Sequence, residues 1–404
     1  MVKRKAGLTG SSISTCPVKF HGGRSFLFIL TLSTMVLFSA YTETSTSVDI
    51  MLLPSLIRVG EKDYSLSVTG TGEASLKAEN NRNVRAELAL KAIILPNQDQ
   101  PLPITLPRAF IKVRFPHFRA TLGKTRVSWG DGSCFNAGDL LFGSTSIDTE
   151  LTEQVIRDET AWLASLYVPM GRFSFAEAVF IPPDPLAAIT DDKTAYSLPP
   201  IEHTQAGGRA VTKLFTIKTE GGYLYRGEEK THNIYAALQG HLLADWNISA
   251  STSIPSQSPE GEDLKDSLLI SAGLFHLQRL GIDSQISFRL EALLRPWGTW
   301  EEIKNEVVIM DSTAVYPPPE GANYALFLYP EITLGLSRSI NLSLRSLVSP
   351  VDLSAMFLLG NSWNIYQGFD ILTFILLQAG EENDIFSLER PGGLAFSLGF
   401  RFKY

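Results

Sequence analysis

The chain ends on Leu394-Ala395-Phe396-Ser397-Leu398-Gly399-Phe400-Arg401-Phe402-Lys403-Tyr404. Every even position in this stretch is apolar or aromatic. Every odd position is small, polar or cationic. Successive side chains of a strand point to opposite faces, so the segment has one oily face and one wet face. A soluble edge strand carrying Phe396, Phe400, Phe402 and Tyr404 outward invites aggregation. A strand whose oily face meets hydrocarbon does not. The alternative is a terminal strand of a soluble sandwich.

Composition bears on that choice. Of 404 residues, 44% are hydrophobic and only 19% are charged, below the usual quarter. No internal run of apolar residues is long enough for a membrane helix, and stretches such as Ile371 to Leu377 are strand-sized. A net charge of −7 argues against a general nucleic-acid binder. Lys3, Arg4, Lys5, Lys19 and Arg24 precede an apolar run from Phe26 to Phe38 and then Ser39-Ala40. This reads as an export signal over 1–40, with a long basic lead and Phe38 where a small residue is preferred. Cys16 falls within that leader, which leaves Cys134 as the lone cysteine of the mature chain. The histidines lack ligand spacing, so neither a metal nor another cofactor is expected.

The terminal strand resembles the last strand of bacterial outer-membrane β-barrels, which ends in an aromatic residue and is read by the barrel-assembly machinery. The resemblance gives Phe400, Phe402 and Tyr404 that role.

Alternation of the same kind recurs along the chain. Ala86, Leu88 and Leu90 oppose Arg85, Glu87 and Lys91. Ala109, Ile111 and Val113 oppose Lys112 and Arg114, and Ile286, Phe288 and Leu290 oppose Arg289 and Glu291. Roughly seventeen runs satisfy this pattern between Tyr64 and the end. Single-chain bacterial barrels favour an even number, so the expectation is about sixteen strands, within 14 to 18. Either a strand near Ile50 to Val59 is missing from the count, or one short run is not a strand. Residues 41–62 read as a periplasmic lead or a first strand, and 63–404 as the barrel.

The connections sort by length when counted back from the C-terminus. Short links fall on one side: Ser339, Arg279 to Ile282, Leu243-Ala244, Thr219-Glu220, Pro169 to Gly171 and Pro116-His117. Long ones, at 380–392, 295–323, 255–265, 182–206 and 129–159, fall on the other. Short periplasmic turns and long external loops are a property of transmembrane barrels. The fold class expected is thus all-β, a single antiparallel transmembrane barrel in the outer membrane of a diderm bacterium.

One stretch stands apart. Gly123-Lys124 leads through Trp129-Gly130-Asp131-Gly132 to Asn136 and Asp139. It resembles a "G-K-x-x-x-x-W-G-x-G … N-x-x-D" segment of porin-like outer-membrane proteins, the alginate-export-like barrels among them. The resemblance spans about twenty residues, names no substrate, and implies a loop that folds inward or caps the barrel. Asp139, Asp148, Glu150 and Glu153 are the candidate constriction carboxylates. Set against Arg85, Lys112, Arg114 and Arg119 across a lumen, they create a transverse field that filters ions and orients dipolar solutes. The plainer reading is a solvated external loop over 129–159.

Arg289 and Glu291, placed mid-strand, complete the candidate lumen set. Trp246, Trp297, Trp300, Trp363, Tyr316, Tyr324, Tyr329 and Tyr366 lie near strand ends, where interface girdles form. Asp352-Leu353-Ser354 reads as an Asx-type turn. No nucleophile elbow, zinc helix or phosphate loop is present. A rim enzyme using His203, His232 or His276 is the least favoured reading. The leading function is a channel for small polar solutes, with outer-membrane lipids and the assembly machinery as partners and association with further copies left open. The alternative is a structural or adhesive surface barrel that binds partners through loops 182–206 and 295–323.

Overall fold

Strand β1 (Glu43–Arg58) and the last strand, β20 (Leu394–Lys403), pair antiparallel from Asp49↔Lys403 to Ile57↔Ala395. That pairing closes the sheet. A computed structural model describes residues 43–59, 63–80, 83–94, 103–147, 151, 158–183, 201–256, 267–302, 308–310, 313–315, 323–382, 384–390 and 392–404. The expected leader over 1–40 lies outside them.

Between the two seam strands run β2 (Tyr64–Asn80), β3 (Val84–Ile94), β4 (Ile104–Arg114), β5 (Arg119–Thr125), β6 (Ala161–Pro169) and β7 (Phe175–Ile181). Next come β8 (Gln205–Leu214), β9 (Ile217–Arg226), β10 (Thr231–His241), β11 (Asp245–Pro255), β12 (Leu269–Arg279) and β13 (Gln285–Leu294). A small separate hairpin, β14 (Val308–Met310) with β15 (Thr313–Val315), precedes β16 (Leu326–Gly335), β17 (Ile340–Ser349), β18 (Ser354–Tyr366) and β19 (Phe369–Ala379). Each barrel strand pairs antiparallel with its neighbours in chain order. The sheet has 18 strands rather than about sixteen. The additional one is β1, where Pro54 and a polar start mask the alternation. Full closure leaves no edge to protect.

The links sort by end. At the C-terminal end they span 81–83, 115–118, 170–174, 215–216, 242–244, 280–284, 336–339 and 367–368. At the other end lie 126–160, 182–204, 256–268, 295–325 and 380–393, together with four shorter links. One expected turn is misplaced: Thr219 and Glu220 sit inside β9, and the chain reverses at Phe215-Thr216 instead.

The oily faces point outward. Phe396, Leu398, Phe400 and Phe402 are all about two-fifths to one-half exposed, as are Leu290, Ile332, Leu359 and Ile375 around the barrel. Their strand neighbours Ser397 and Gly399 are buried. Trp297, Trp300, Trp363 and Tyr366 are exposed, consistent with interface positions. Tyr324 and Tyr329 do not join a girdle: both are fully buried, Tyr329 by the inward parity of β16 and Tyr324 in the turn that precedes it. Tyr316 lies outside the described residues. No described helix is long and apolar enough to cross a membrane.

Candidate functional site

The segment 126–147 leaves β5 and does not stay outside. Its backbone is bound by inward-facing side chains of strands far from its own. Glu291 on β13 accepts three consecutive amides, from Ser133 (2.8 Å), Cys134 (2.7 Å) and Phe135 (2.9 Å). Ser271 on β12 accepts from Ala137, and Ser249 on β11 accepts from Gly138. Glu220 on β9 accepts from Gly130 at 2.9 Å and from the Tyr235 hydroxyl. Cations hold the carbonyls: Arg209 donates to Ser128, Arg226 to Leu140, Arg295 to Thr145 and Arg345 to Leu151. Contacts running from β8 to β17 require a path through the barrel interior. The solvated external loop is therefore overturned for these residues. Their backbone amides and carbonyls find partners on the wall that compensate the loss of water.

Two apolar clusters complete the seating. Trp129 packs with Leu163, Val179, Leu224 and Tyr235 on one side. Cys134 and Phe135 pack with Leu293, Phe327, Tyr329 and Leu358 on the other. Sequence reasoning missed these aromatic inner-wall positions, because an apolar residue on the wet face reads as noise until a loop is known to cover it. Glu220 was likewise missed, having been assigned to a turn.

Within the loop, the motif residues serve the turn itself. Gly130 has φ of +66°, and a Cβ there would lie 2.5 Å from Asn136 Oδ1. Asn136 donates to the Trp129 carbonyl at 2.8 Å and accepts from the Gly138 amide. Asp139 is buried and pairs with Arg126 at 2.9 Å, which also reaches Glu159 at 2.6 Å. Burial pushes the Asp139 carboxyl above its ordinary value, outweighing the opposing pull of the Ser144 hydroxyl and of Arg126. Asp139 thus spends its charge inside the loop. Asp148, Glu150 and Glu153 lie outside the described residues. Burial alone lowers the Arg295 guanidinium.

The opposite arc of the barrel, β20 with β1 to β5, keeps its wet face clear of these contacts. Register places Arg85, Lys112, Arg114 and Arg119 together on that inner face. Arg85 pairs with Glu87 at 2.9 Å, while Arg108 pairs with Glu73 and lies 3.3 Å from Glu87. No carboxylate among the described residues pairs with Lys112, Arg114 or Arg119. Arg119 lies over the Tyr167 ring at 4.9 Å. Nine inward cations stand on this arc (Lys77, Arg85, Lys91, Arg108, Lys112, Arg114, Arg119, Arg401 and Lys403). In the same paired registers stand four inward carboxylates, Asp49, Glu73, Glu79 and Glu87. Arg289 and Glu291 are not on this arc. They lie beneath the loop, 3.6 Å apart, with Arg289 also near Glu331.

His232 meets the Tyr223 hydroxyl at 2.7 Å on the outer face, and His276 also points outward. Neither they nor His203 pairs with a carboxylate among the described residues, and no described cluster of side chains could hold a metal ion.

A closed antiparallel barrel with an oily outer belt, end-sorted links and an inward-folded loop defines a porin-like β-barrel of the outer-membrane type. No family model matches the chain, and no curated protein matches it. Solved structures do. OccK11 (OpdR) of Pseudomonas aeruginosa superimposes with a TM-score of 0.52 at 9% identity, over 90% of this chain and 95% of that one. Pseudomonas aeruginosa OpdL gives 0.51 at 10% identity, over 90% and 98%. Acinetobacter baumannii OccAB3 gives 0.50 at 8% identity, over 89% and 99%. The likeness is one of fold.

Proposed function

We propose that this barrel is an outer-membrane channel through which small polar solutes diffuse. The observation that carries the reading is the asymmetry of the interior: the loop is pinned to the wall from β8 to β17, and the remaining arc presents nine cations against four carboxylates in its paired registers. The passage runs along that arc. Its excess positive charge attracts anions and turns the negative ends of dipolar solutes toward Lys112, Arg114 and Arg119. Glu291 acts as a loop anchor, with Arg289 beside it, rather than as passage lining. Diffusion needs no cofactor, and no catalytic step is assigned.

The long-loop end faces the outside and the short-turn end the periplasm. Lipid surrounds the outer belt, and Phe400, Phe402 and Tyr404 present the aromatic terminus to the assembly machinery. The test is reconstitution in planar bilayers across a KCl gradient. The expected result is discrete conductance steps with a reversal potential of anion-selective sign. A folded barrel that gives no steps overturns the channel. Steps with cation selectivity keep the channel and overturn the arc as its lining.

A further inference from the structure

A second feature lies at the short-turn end, on the inner wall below the loop. A cavity of about 500 Å³ is bounded by Tyr167, Arg172, Phe173, Phe175, Lys213 and Lys218, among others. Cavities of this size hold small organic ligands. One of its cations stands on a ring: Lys213 Nζ lies 5.5 Å from the Phe173 centroid. The rings Tyr167 and Phe175 stack on each other at 4.5 Å.

The charges on the lining are not equivalent. Lys218 is committed to Asp131 at 2.8 Å and to Glu220 at 3.4 Å. Arg172 and Lys213 meet no carboxylate among the described residues. The acidic lining residue, Asp245, is taken up by His241 Nδ1 at 2.8 Å. The faces of Tyr167 are taken by Phe175 and Arg119, and those of Phe175 by Tyr167 and Arg209. The cavity therefore offers two cations without a carboxylate partner beside the exposed ring of Phe173. A lone carboxylate matches one such cation. A phosphate monoester, with about −1.5 to −2 charge at neutral pH and several acceptor oxygens, matches two. The exposed ring of Phe173 supplies a surface for a flat aromatic group attached to it.

We propose that this cavity is a binding site for ring-bearing phosphate monoesters, with Arg172 and Lys213 on the phosphate and Phe173 against the ring. The site adjoins the passage arc at Tyr167, over which Arg119 lies, and binding there does not require conduction.

Isothermal titration of the full barrel in detergent micelles at low ionic strength tests this with three probes: 4-nitrophenyl phosphate, 4-nitrobenzoate and inorganic phosphate. The aryl phosphate is expected to bind at least tenfold more tightly than either of the others. The double variant R172Q/K213Q should lose that binding by tenfold or more. Phe173→Leu should weaken the aryl phosphate several-fold and leave inorganic phosphate unchanged. Heat-modifiable gel migration confirms that each variant is closed, and the three-probe comparison on the unaltered barrel stands even where a variant does not fold. Equal affinity for all three probes, no binding of the aryl phosphate, or unchanged binding by the double variant each overturns the proposal.

Discussion

Arg401 and Asp49 clasp the first and last strands of the barrel through a fork of three hydrogen bonds. Two of these, from Arg401 Nε, span 2.8 and 3.0 Å, and the third runs from Nη2. The pair sits on the inner face, where Asp49 and Arg401 flank the closing register. Its partners are 352 residues apart in sequence, so it forms only when the barrel closes. Next along the same seam, Ser55 and Ser397 share a hydrogen bond at 2.7 Å. Bidentate guanidinium–carboxylate pairs are among the stronger hydrogen-bonded contacts.

That clasp gives the first prediction. Asp49→Asn and Arg401→Gln should each destabilise the barrel by about 1–2 kcal/mol, the pair being partly open to water. In a double-mutant cycle the two losses should not add. Urea unfolding from lipid vesicles is the measurement. Full additivity would show that the seam does not rely on the pair.

The Glu291 anchor gives the second. A carboxylate that accepts three amides is poorly replaced by an amide side chain, which has one acceptor oxygen and brings a donor instead. Glu291→Gln should free the loop and leave the strands closed. Hydrogen exchange at 133–135 should accelerate by at least tenfold, and heat-modifiable migration should persist. The loss is about 1–3 kcal/mol of local stability. Unchanged protection there would place the loop's hold on the apolar clusters alone.

Much of this fold is legible in the chain, and the misses have physical causes. Alternation located the strands because a barrel wall has two chemically opposite faces along its whole length. The alternation does not separate β1 from a periplasmic lead because its start, Glu43-Thr44-Ser45-Thr46-Ser47, is polar on both faces. The alternation displaces the turn between β8 and β9 because Phe215-Thr216 carries no turn chemistry, whereas Gly221-Gly222 does. Gly222 serves the interior instead. A Cβ on Gly222 would lie 2.4 Å from the Tyr235 ring, which crosses the strand to reach Glu220. The loop motif located the interior segment but not its orientation. Orientation depends on Glu220, Glu291, Ser249 and Ser271, which are spread over four strands and share no local pattern.

Phe215 itself gives a third prediction. Its φ of +57° lies in the left-handed region, and its side chain is fully exposed. A non-glycine residue there costs roughly 1–2 kcal/mol. Phe215→Gly should relieve part of that, raising stability by about 0.5–1 kcal/mol, and Phe215→Asn should do the same to a lesser degree. Thermal unfolding in micelles reads the change. A loss in both variants would mean that the ring has a contact at the interface worth more than the strain.

The lipid-facing belt gives the fourth. Leu290 stands mid-strand on β13, outward and 46% exposed, between the outward neighbours Leu274 and Pro330. Leu290→Arg should cost about 2–4 kcal/mol if that face lies near the bilayer midplane. The inward substitution Ser287→Arg, on the same strand but on the wet face, should cost far less. Folding titrations into lipid vesicles compare them. Equal effects would remove the argument that the oily face meets hydrocarbon.

The last prediction concerns acid. Burial raises the Asp139 carboxyl above its unfolded value, so between the two values the folded chain holds more protons at this group than the unfolded chain does. Stability contributed by Asp139 is therefore fully present below the unfolded pKa and lost as pH rises through the folded one. Asp384, in the 380–393 link, is raised for the same reason, burial coming first, with repulsion from Asp352 adding to it. Both groups thus oppose acid unfolding. Asp139→Asn removes the ionisation and keeps an acceptor for Ser144 and Arg126. It should leave loop protection near the wild-type level at acid pH, below the unfolded carboxyl range, and raise it as pH climbs through the folded value and the wild-type group ionises in its buried place. Hydrogen exchange over 136–143, corrected for intrinsic rates, separates the outcomes. A variant less protected than the wild type above the folded value would show that the Arg126 pair outweighs the burial of the charge.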